Sequence, residues 1–202
     1  MLLLAIIYLA FISLGLPDSL VGAGWPAMHE SLGVPLSCAG FITFIIATGT
    51  IISSLMSDRL TTRFGPGRVT AASVALTAAA LFGFSFSTQF WVLCLWAMPY
   101  GLGAGTVDAA LNNYAALHYT ARHMNWLHGC WGLGASISPF IMSQALSSGH
   151  GWPSAYRTVG TLQAILTAIV TVSLPLWNKT QKINGGGSAR LFDHVPTRAA
   201  LA

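Results

Sequence analysis

Pro99–Tyr114 reads P-Y-G-L-G-A-G-T-V-D-A-A-L-N-N-Y and lies inside an apolar segment from Phe90 to about Leu117. In a helix, residues 101, 105, 108 and 112 share one face, because steps of three or four return to the same side. That face carries two glycines, which let a neighbouring helix approach closely, followed by Asp108 and Asn112. A charge near the bilayer centre costs roughly 2.5–3.5 kcal/mol on insertion scales, so it should face a cavity or a partner. The stretch therefore predicts a helix that lines a polar cavity in a membrane protein.

The composition supports a membrane protein. Of the 202 residues, 54% are hydrophobic and only 7% are charged, whereas charged residues make up about 25% of a soluble domain. The three cysteines are widely spaced and lie in apolar segments, which argues against disulfides and zinc sites. We therefore expect no metal and no cofactor. The glycines after Tyr100 do not have the spacing of a dinucleotide fingerprint, and we expect no nucleic-acid partner.

Six segments are long enough to cross a bilayer, for which about 20 apolar residues are needed. They run over about Leu2–Met28, Ala39–Leu60, Val69–Phe86, Phe90–Leu117, Trp126–Leu146 and Tyr156–Trp177. Short connections make consecutive helices antiparallel neighbours. Residues 1–177 are thus predicted to form an all-α bundle of six transmembrane helices. Residues 178–202 are polar, contain three consecutive glycines and are predicted to form a flexible cytoplasmic tail.

The basic residues predict the orientation of the bundle. With six spans, eight of the nine fall on one side, and only Arg157 falls on the other. The eight are Arg59, Arg63, Arg68, Arg122, Lys179, Lys182, Arg190 and Arg198. The positive-inside rule places those eight, and both termini, in the cytoplasm, and we expect the protein in the plasma (inner) membrane.

Two acids suggest an internal repeat. Asp18 lies in the first predicted helix and Asp108 in the fourth, 90 residues later. The third predicted helix and residues 158–177 of the sixth carry no charge. A 3+3 inverted repeat would place helices one and four at the cavity and helices three and six toward lipid.

The candidate substrate-binding or proton-coupling residues are Asp18, Asp108, Asn112, Trp25 and His128. Asp108 with Asn112 is the strongest pair, and the alternative is a hydrogen bond that only holds the bundle together. Asp18 is either a protonatable cavity carboxylate or an acid near a helix end. Trp25 could stack on a sugar ring or anchor the chain at the interface, and His128 could relay protons or lie at the interface. With no nucleophile, metal cluster or phosphate loop beside these groups, we expect no enzyme.

The segment from Ser57 to Arg68 joins the second and third predicted helices. It contains an acid, glycines and arginines, and it is predicted to be a cytoplasmic gating loop whose candidate residues are Asp58, Arg59, Arg63, Gly65 and Arg68. The alternative is an ordinary basic loop on the cytoplasmic side.

At these residues the chain resembles the transporters of the major facilitator superfamily. Residues 58–68 are similar to the signature loop between helices two and three, although Ser54 stands where glycine is usual. Within the superfamily, Asp18, Asp108, Asn112 and the run 125–134 resemble the fucose permease-like sugar–proton symporters. The resemblance implies secondary transport of a small polar, sugar-like solute with protons, in which these acids and Asn112 serve coupling and binding.

Members of that family have twelve helices in two halves, whereas six are predicted here. The expected partners are the lipid bilayer, the solute, the proton, and a second six-helix half or a second copy of the chain. The alternative is a truncated or split half that does not transport alone and serves only as a membrane interaction module.

Overall fold

The computed structural model describes residues 2–177, and every regular element in that range is helical. The helices are α1 (Leu2–Asp18), α2 (Leu20–Ser31), a 3-10 turn (Leu36–Cys38), α3 (Ala39–Phe64), α4 (Pro66–Phe86), α5 (Phe90–His118), α6 (Ala121–Ser147) and α7 (Trp152–Val172). Each of the six predicted segments is a helix, the first being divided into α1 and α2. The all-α prediction is confirmed. The predicted tail at 178–202 lies outside the described residues.

Within residues 2–177, five helical stretches are long and apolar enough to cross a membrane, with α1 and α2 counted together as Leu2–Ser31. The remaining predicted segment corresponds to α6, whose 27 residues are long enough to cross a membrane, but α6 is less apolar than the other five stretches. Its sequence includes Asn125, His128 and several serines. Polar residues of this kind are expected in a helix that faces a cavity or another helix.

The break between α1 and α2 follows from Pro17. Proline has no N–H, so it cannot bond the carbonyl four residues earlier, which belongs to Ser13. The side chain of Gln163 in α7 donates its Nε2–H to that Ser13 oxygen at 2.7 Å, and Gln163 is almost fully buried. A long-range side chain thus satisfies the backbone group that proline leaves free, as buried polar groups require.

Two pairs of helices pack closely through glycines, and each of these contacts is called a glycine seam below. In the first, α1 packs on α6: a Cβ at Gly15 would overlap the carbonyl oxygen of Trp131, and one at Gly134 would overlap that of Ile12. In the second, α5 packs on α3, and a Cβ at Gly101 would overlap the carbonyl oxygen of Ile46. Bulk at these positions would force the helices apart, so the glycines set the distance between them.

Hydroxyl groups of α3 strengthen the second seam. Ser54 Oγ donates to the carbonyl oxygen of Gly105, and Ser57 Oγ donates to that of Thr106, both at 3.1 Å. Such interhelical bonds substitute for water in the membrane interior. The serine at position 54 therefore bonds to the backbone of α5.

The pairing of the helices matches the predicted repeat. In a 3+3 repeat, α1 corresponds to α5, and α6 corresponds to α3. The contact between α1 and α6 is then equivalent to the contact between α5 and α3. Both contacts are among the most extensive in the bundle. The sequence spacing agrees, since Gly15 precedes Asp18 by three residues, as Gly105 precedes Asp108. The two seams are therefore equivalent under a 3+3 repeat.

The predicted loop between the second and third membrane helices is a single residue. Helix α3 continues to Phe64, α4 begins at Pro66, and Gly65 makes the turn with φ +85°. Glycine adopts such a φ without a steric penalty, and proline at the first helical position starts the next helix. The segment is therefore not an extended loop: its charged residues lie on the ends of two helices, and their gating role stays a prediction.

Candidate functional site

A cavity of about 340 Å³ opens between α1, α3, α5 and α6. It brings together three of the predicted site residues, Asp18, Asp108 and His128. The rest of the lining combines aromatic, apolar and small polar side chains: Phe11, Leu14, Ile46, Thr50, Tyr100, Ala104 and Trp131. Neither α4 nor α7 contributes to the lining, as the repeat predicts. Its volume lies within the usual range of small-molecule sites, about 300–1,000 Å³.

Asp18 is held from two sides. Tyr100 in α5 donates its hydroxyl to Oδ1 at 3.0 Å, and Trp131 in α6 donates its indole N–H to Oδ2 at 2.8 Å. One carboxylate therefore ties α1 to two other helices. An ionised carboxylate only accepts hydrogen bonds and can serve both donors, whereas a protonated one has less accepting capacity. The protonation state of Asp18 is thereby linked to the packing of α1 against α5 and α6.

Replacing Tyr100 with phenylalanine is expected to lower the free energy of unfolding by about 1–2 kcal/mol, because it removes a donor from a charged acceptor. Trp131→Phe removes the other donor and should act in the same direction. Thermal unfolding of the purified chain in detergent measures both. The matched control is Tyr156→Phe, since the buried Tyr156 hydroxyl meets only the weak acceptor Sδ of Met28, at 3.6 Å.

In an Asp18→Leu background the acceptor is gone, so Tyr100→Phe should then cost little or nothing further. An equal cost in both backgrounds would show that Tyr100 contributes packing and not a bond to the carboxylate.

Asp108 faces the cavity in a different setting. Within residues 2–177 its one hydrogen bond is from Asn112 Nδ2 to Oδ1, at 3.0 Å, one helical turn away in the same helix. Its other oxygen is open to the cavity, and the side chain is exposed there. Two carboxylates in one cavity thus differ in their surroundings: Asp18 is held between helices, and Asp108 is accessible.

Asn112 lies beside the cavity and is not among its lining residues. Its amide oxygen is buried and accepts no hydrogen bond from any residue in the described part of the chain. A buried acceptor of this kind costs free energy unless a donor reaches it. The structure therefore does not open the Asn112 oxygen to the cavity, and its role in solute binding stays a prediction.

His128 lines the cavity on α6, and the edge of its ring meets Phe11, with 6.0 Å between the centroids and 88° between the planes. The side chain is exposed to the cavity and lies in electrostatic range of Asp108. Of the two interpretations weighed from the sequence, this position favours the cavity.

Trp25 lies outside the cavity. Its indole N–H donates to the carbonyl oxygen of Leu36 at 2.7 Å, and its ring packs against Phe90 and His29 in the core. Only 4% of its surface is exposed. Its position therefore lends no support to stacking on a sugar ring, and it does not match an exposed interfacial anchor either.

Comparison with known proteins agrees with this architecture. Residues 7–198 match the sequence profile of the Major Facilitator Superfamily, which is most of the chain. The chain belongs to the Major Facilitator Superfamily. Membership makes it an integral, multi-pass membrane protein of a transporter family, as its apolar helices also indicate.

One curated relative of this superfamily member comes from yeast. The chain is 26% identical over 144 residues to "Bypass of stop codon protein 6" of Saccharomyces cerevisiae (strain ATCC 204508 / S288c). That match covers 69% of this chain and 29% of the yeast protein, so the chain spans less than a third of its relative. Neither this match nor the superfamily profile tests the resemblance to the fucose permease-like branch, which stays a prediction.

The charged residues of the segment that resembles the superfamily's signature loop are exposed. Asp58, Arg59 and Arg63 lie in the last two turns of α3, and Arg68 lies in the first turn of α4. The Arg63 guanidinium sits over the Phe64 ring, 5.3 Å from its centroid. Charges on two adjoining helix ends can still contact a neighbouring helix end, so the gating role stays a prediction.

Among the cavity residues that sequence reasoning did not select, Tyr100 and Trp131 are the two that bond to Asp18. Tyr100 stands inside the stretch quoted first, eight residues before Asp108, and Trp131 lies three residues after His128. At both spacings the aromatic side chain lies on the same helix face as the candidate residue, which is the signal that the sequence contained.

Proposed function

We propose that this chain provides the six-helix unit of a secondary transporter that moves a small polar, sugar-like solute together with protons. The observation that carries the proposal is the meeting of Asp18, Asp108 and His128 in one cavity between helices of a membrane bundle. Ionisable groups inside a membrane are costly and characteristically mark ion, proton or substrate paths.

The cavity suits a sugar-like solute on chemical grounds. Trp131 is 41% exposed and lines the cavity, so it offers an aromatic surface to the apolar face of a sugar ring. The exposed Asp108 carboxylate, which also lines the cavity, offers acceptors for hydroxyl groups. A few placed polar groups on an apolar wall give a ligand site its specificity.

Proton coupling is assigned to Asp108, because its carboxylate is accessible. A proton taken up from the outward-facing cavity neutralises it, and a neutral group opposes the closing of the cavity less than an unpaired charge does. Inward opening then releases solute and proton. Asp18 serves as the tie between α1, α5 and α6, and its two hydrogen bonds hold the cavity wall in place.

We propose that a second six-helix unit, or a second copy of this chain, covers the face formed by α3 and α6. Only 11% of the most apolar part of α3 is buried, against 67% of the corresponding part of α4. Large side chains such as Leu55, Leu133 and Phe140 project outward from α3 and α6. Alternating access requires a second body against which this one can rock.

The function is tested by uptake into proteoliposomes under an imposed pH gradient, using a panel of radiolabelled sugars and related polyols. The assay is run on the chain alone and on the chain co-reconstituted with any second unit. Accumulation that follows the gradient and collapses with a protonophore supports the proposal. Uptake that ignores the gradient with every solute tested contradicts proton coupling.

Both termini are proposed to be cytoplasmic, with the protein in the plasma membrane, on the eight-to-one distribution of basic residues. Single cysteines are placed at Ser148 or Gly186 after Cys38, Cys94 and Cys130 have been replaced. A membrane-impermeant maleimide on intact cells is expected to label position 148, while position 186 reacts only after lysis. The opposite result at both positions would invert the topology.

A further inference from the structure

A groove of about 630 Å³ lies between α3 and α4, away from the cavity. The two helices are consecutive and meet at Gly65, yet they hardly pack on each other: α3 packs mainly on α5, and α4 packs on both α5 and α7. They therefore diverge from the turn, and Leu102 and Thr106 of α5 form the floor between them. No residue lines both this groove and the cavity.

The chemistry of the groove changes along its length. Its walls are largely apolar, with Met56 and Leu60 on α3 and Leu76 on α4. Arg68 lines the end nearest the turn, and Phe64 lies beside it. From Arg68 to Leu76 the helix rises about 12 Å, enough to run alongside much of one leaflet's hydrocarbon.

The end of the groove nearest the Gly65 turn carries a positive charge from Arg68. Among residues 2–177, no carboxylate lines the groove, so none of its lining residues neutralises that charge. Arg63 lies over the Phe64 ring, so a second guanidinium flanks the same end. Both side chains are exposed, and arginine at a helix end extends its guanidinium to the headgroup level while its stem stays on apolar surface.

We propose that this groove binds an anionic glycerophospholipid. One acyl chain lies along the apolar walls over the α5 floor, and the headgroup phosphate meets Arg68 with Arg63 close by. The occupant is a lipid because the apolar groove faces out of the bundle in a membrane protein and has a cationic end. Under the orientation proposed above it belongs to the cytoplasmic leaflet, where anionic lipids are concentrated; the binding itself does not depend on that orientation.

The test is native mass spectrometry of the full chain in detergent, titrated with dioleoyl phosphatidylglycerol or dioleoyl phosphatidylcholine. The expected result is a preference of about fivefold for phosphatidylglycerol, from about 1 kcal/mol for Arg68, the basic residue that lines the groove. Arg68→Gln should remove most of the preference, and Arg68→Lys should retain part of it. Arg157→Gln, which neutralises an exposed arginine outside the groove, is the matched control and should leave the preference unchanged.

A second variant tests the groove without changing charge. Ala72 is exposed on the groove wall, so Ala72→Phe fills the space and should reduce binding of both lipids while Arg68 is intact. Excess inorganic phosphate is added as a further arm and should not displace the lipid. The proposal is overturned if Arg68→Gln behaves as the unaltered chain does, if Ala72→Phe binds phosphatidylglycerol as strongly, or if phosphate alone competes. Because no transport is measured, failure here leaves the proposed transport function standing.

Discussion

Replacing Asp108 with asparagine is expected to abolish proton-driven accumulation of solute in the active transporter. One proton coupled to a gradient of one pH unit supports about tenfold accumulation, since one unit is worth about 1.4 kcal/mol. The variant should lose that accumulation. Downhill exchange of solute should persist, because the amide resembles the protonated acid in shape and its oxygen can still accept the bond from Asn112 Nδ2.

Two further variants distinguish the loss of the coupling charge from a loss of solute binding. Glu30→Gln makes the same acid-to-amide change on an exposed residue at the end of α2, outside the cavity, and should leave accumulation intact. Asn112→Ala removes an acceptor and the donor to Asp108 without removing a charge, so it should weaken solute binding while the remaining uptake still follows the pH gradient. Uphill uptake that is undiminished in Asp108→Asn would move the coupling role to Asp18 or His128.

Replacing Gly134 with alanine is expected to destabilise the bundle by about 1–3 kcal/mol, the usual cost of overpacking. A Cβ there would overlap the Ile12 carbonyl oxygen and lie 3.1 Å from the Leu16 nitrogen. Both neighbours are backbone atoms of α1, so a rotamer change cannot relieve the clash. The helices must separate, and the separation should also carry Trp131 away from Asp18.

The matched control is Gly132→Ala, two residues away in the same helix. A Cβ at Gly132 meets nothing within 4 Å, so this change should be neutral or stabilise the helix by up to about 1 kcal/mol. Thermal unfolding in detergent measures both variants, and fluorescence quenching reports the exposure of the tryptophans. If the two alanine variants melt alike, the α1–α6 seam does not set the distance between these helices.

The sequence by itself determined the helices and two members of the cavity. Runs of about 20 apolar residues bounded by glycine and proline have one stable form in a bilayer, since every backbone group must be bonded within the segment. The cost of charge in hydrocarbon directed Asp18 and Asp108 to a shared interior, and the structure places both in the cavity lining. The 90-residue separation of these acids likewise anticipated the two equivalent seams.

Only the tertiary structure decided how those residues are held. The bond from Trp131 to Asp18 joins residues 113 apart, and the bond from Gln163 to Ser13 joins residues 150 apart. Neither follows from helical periodicity, because each depends on the rotation and approach of two helices that the glycine seams fix. The residue type of Trp25 is compatible with stacking on a sugar ring or with anchoring at the interface, yet α2 turns its ring into the core, where the Leu36 carbonyl oxygen accepts its N–H. Periodicity places a side chain on one face of its own helix, whereas packing against the other helices determines what that face meets.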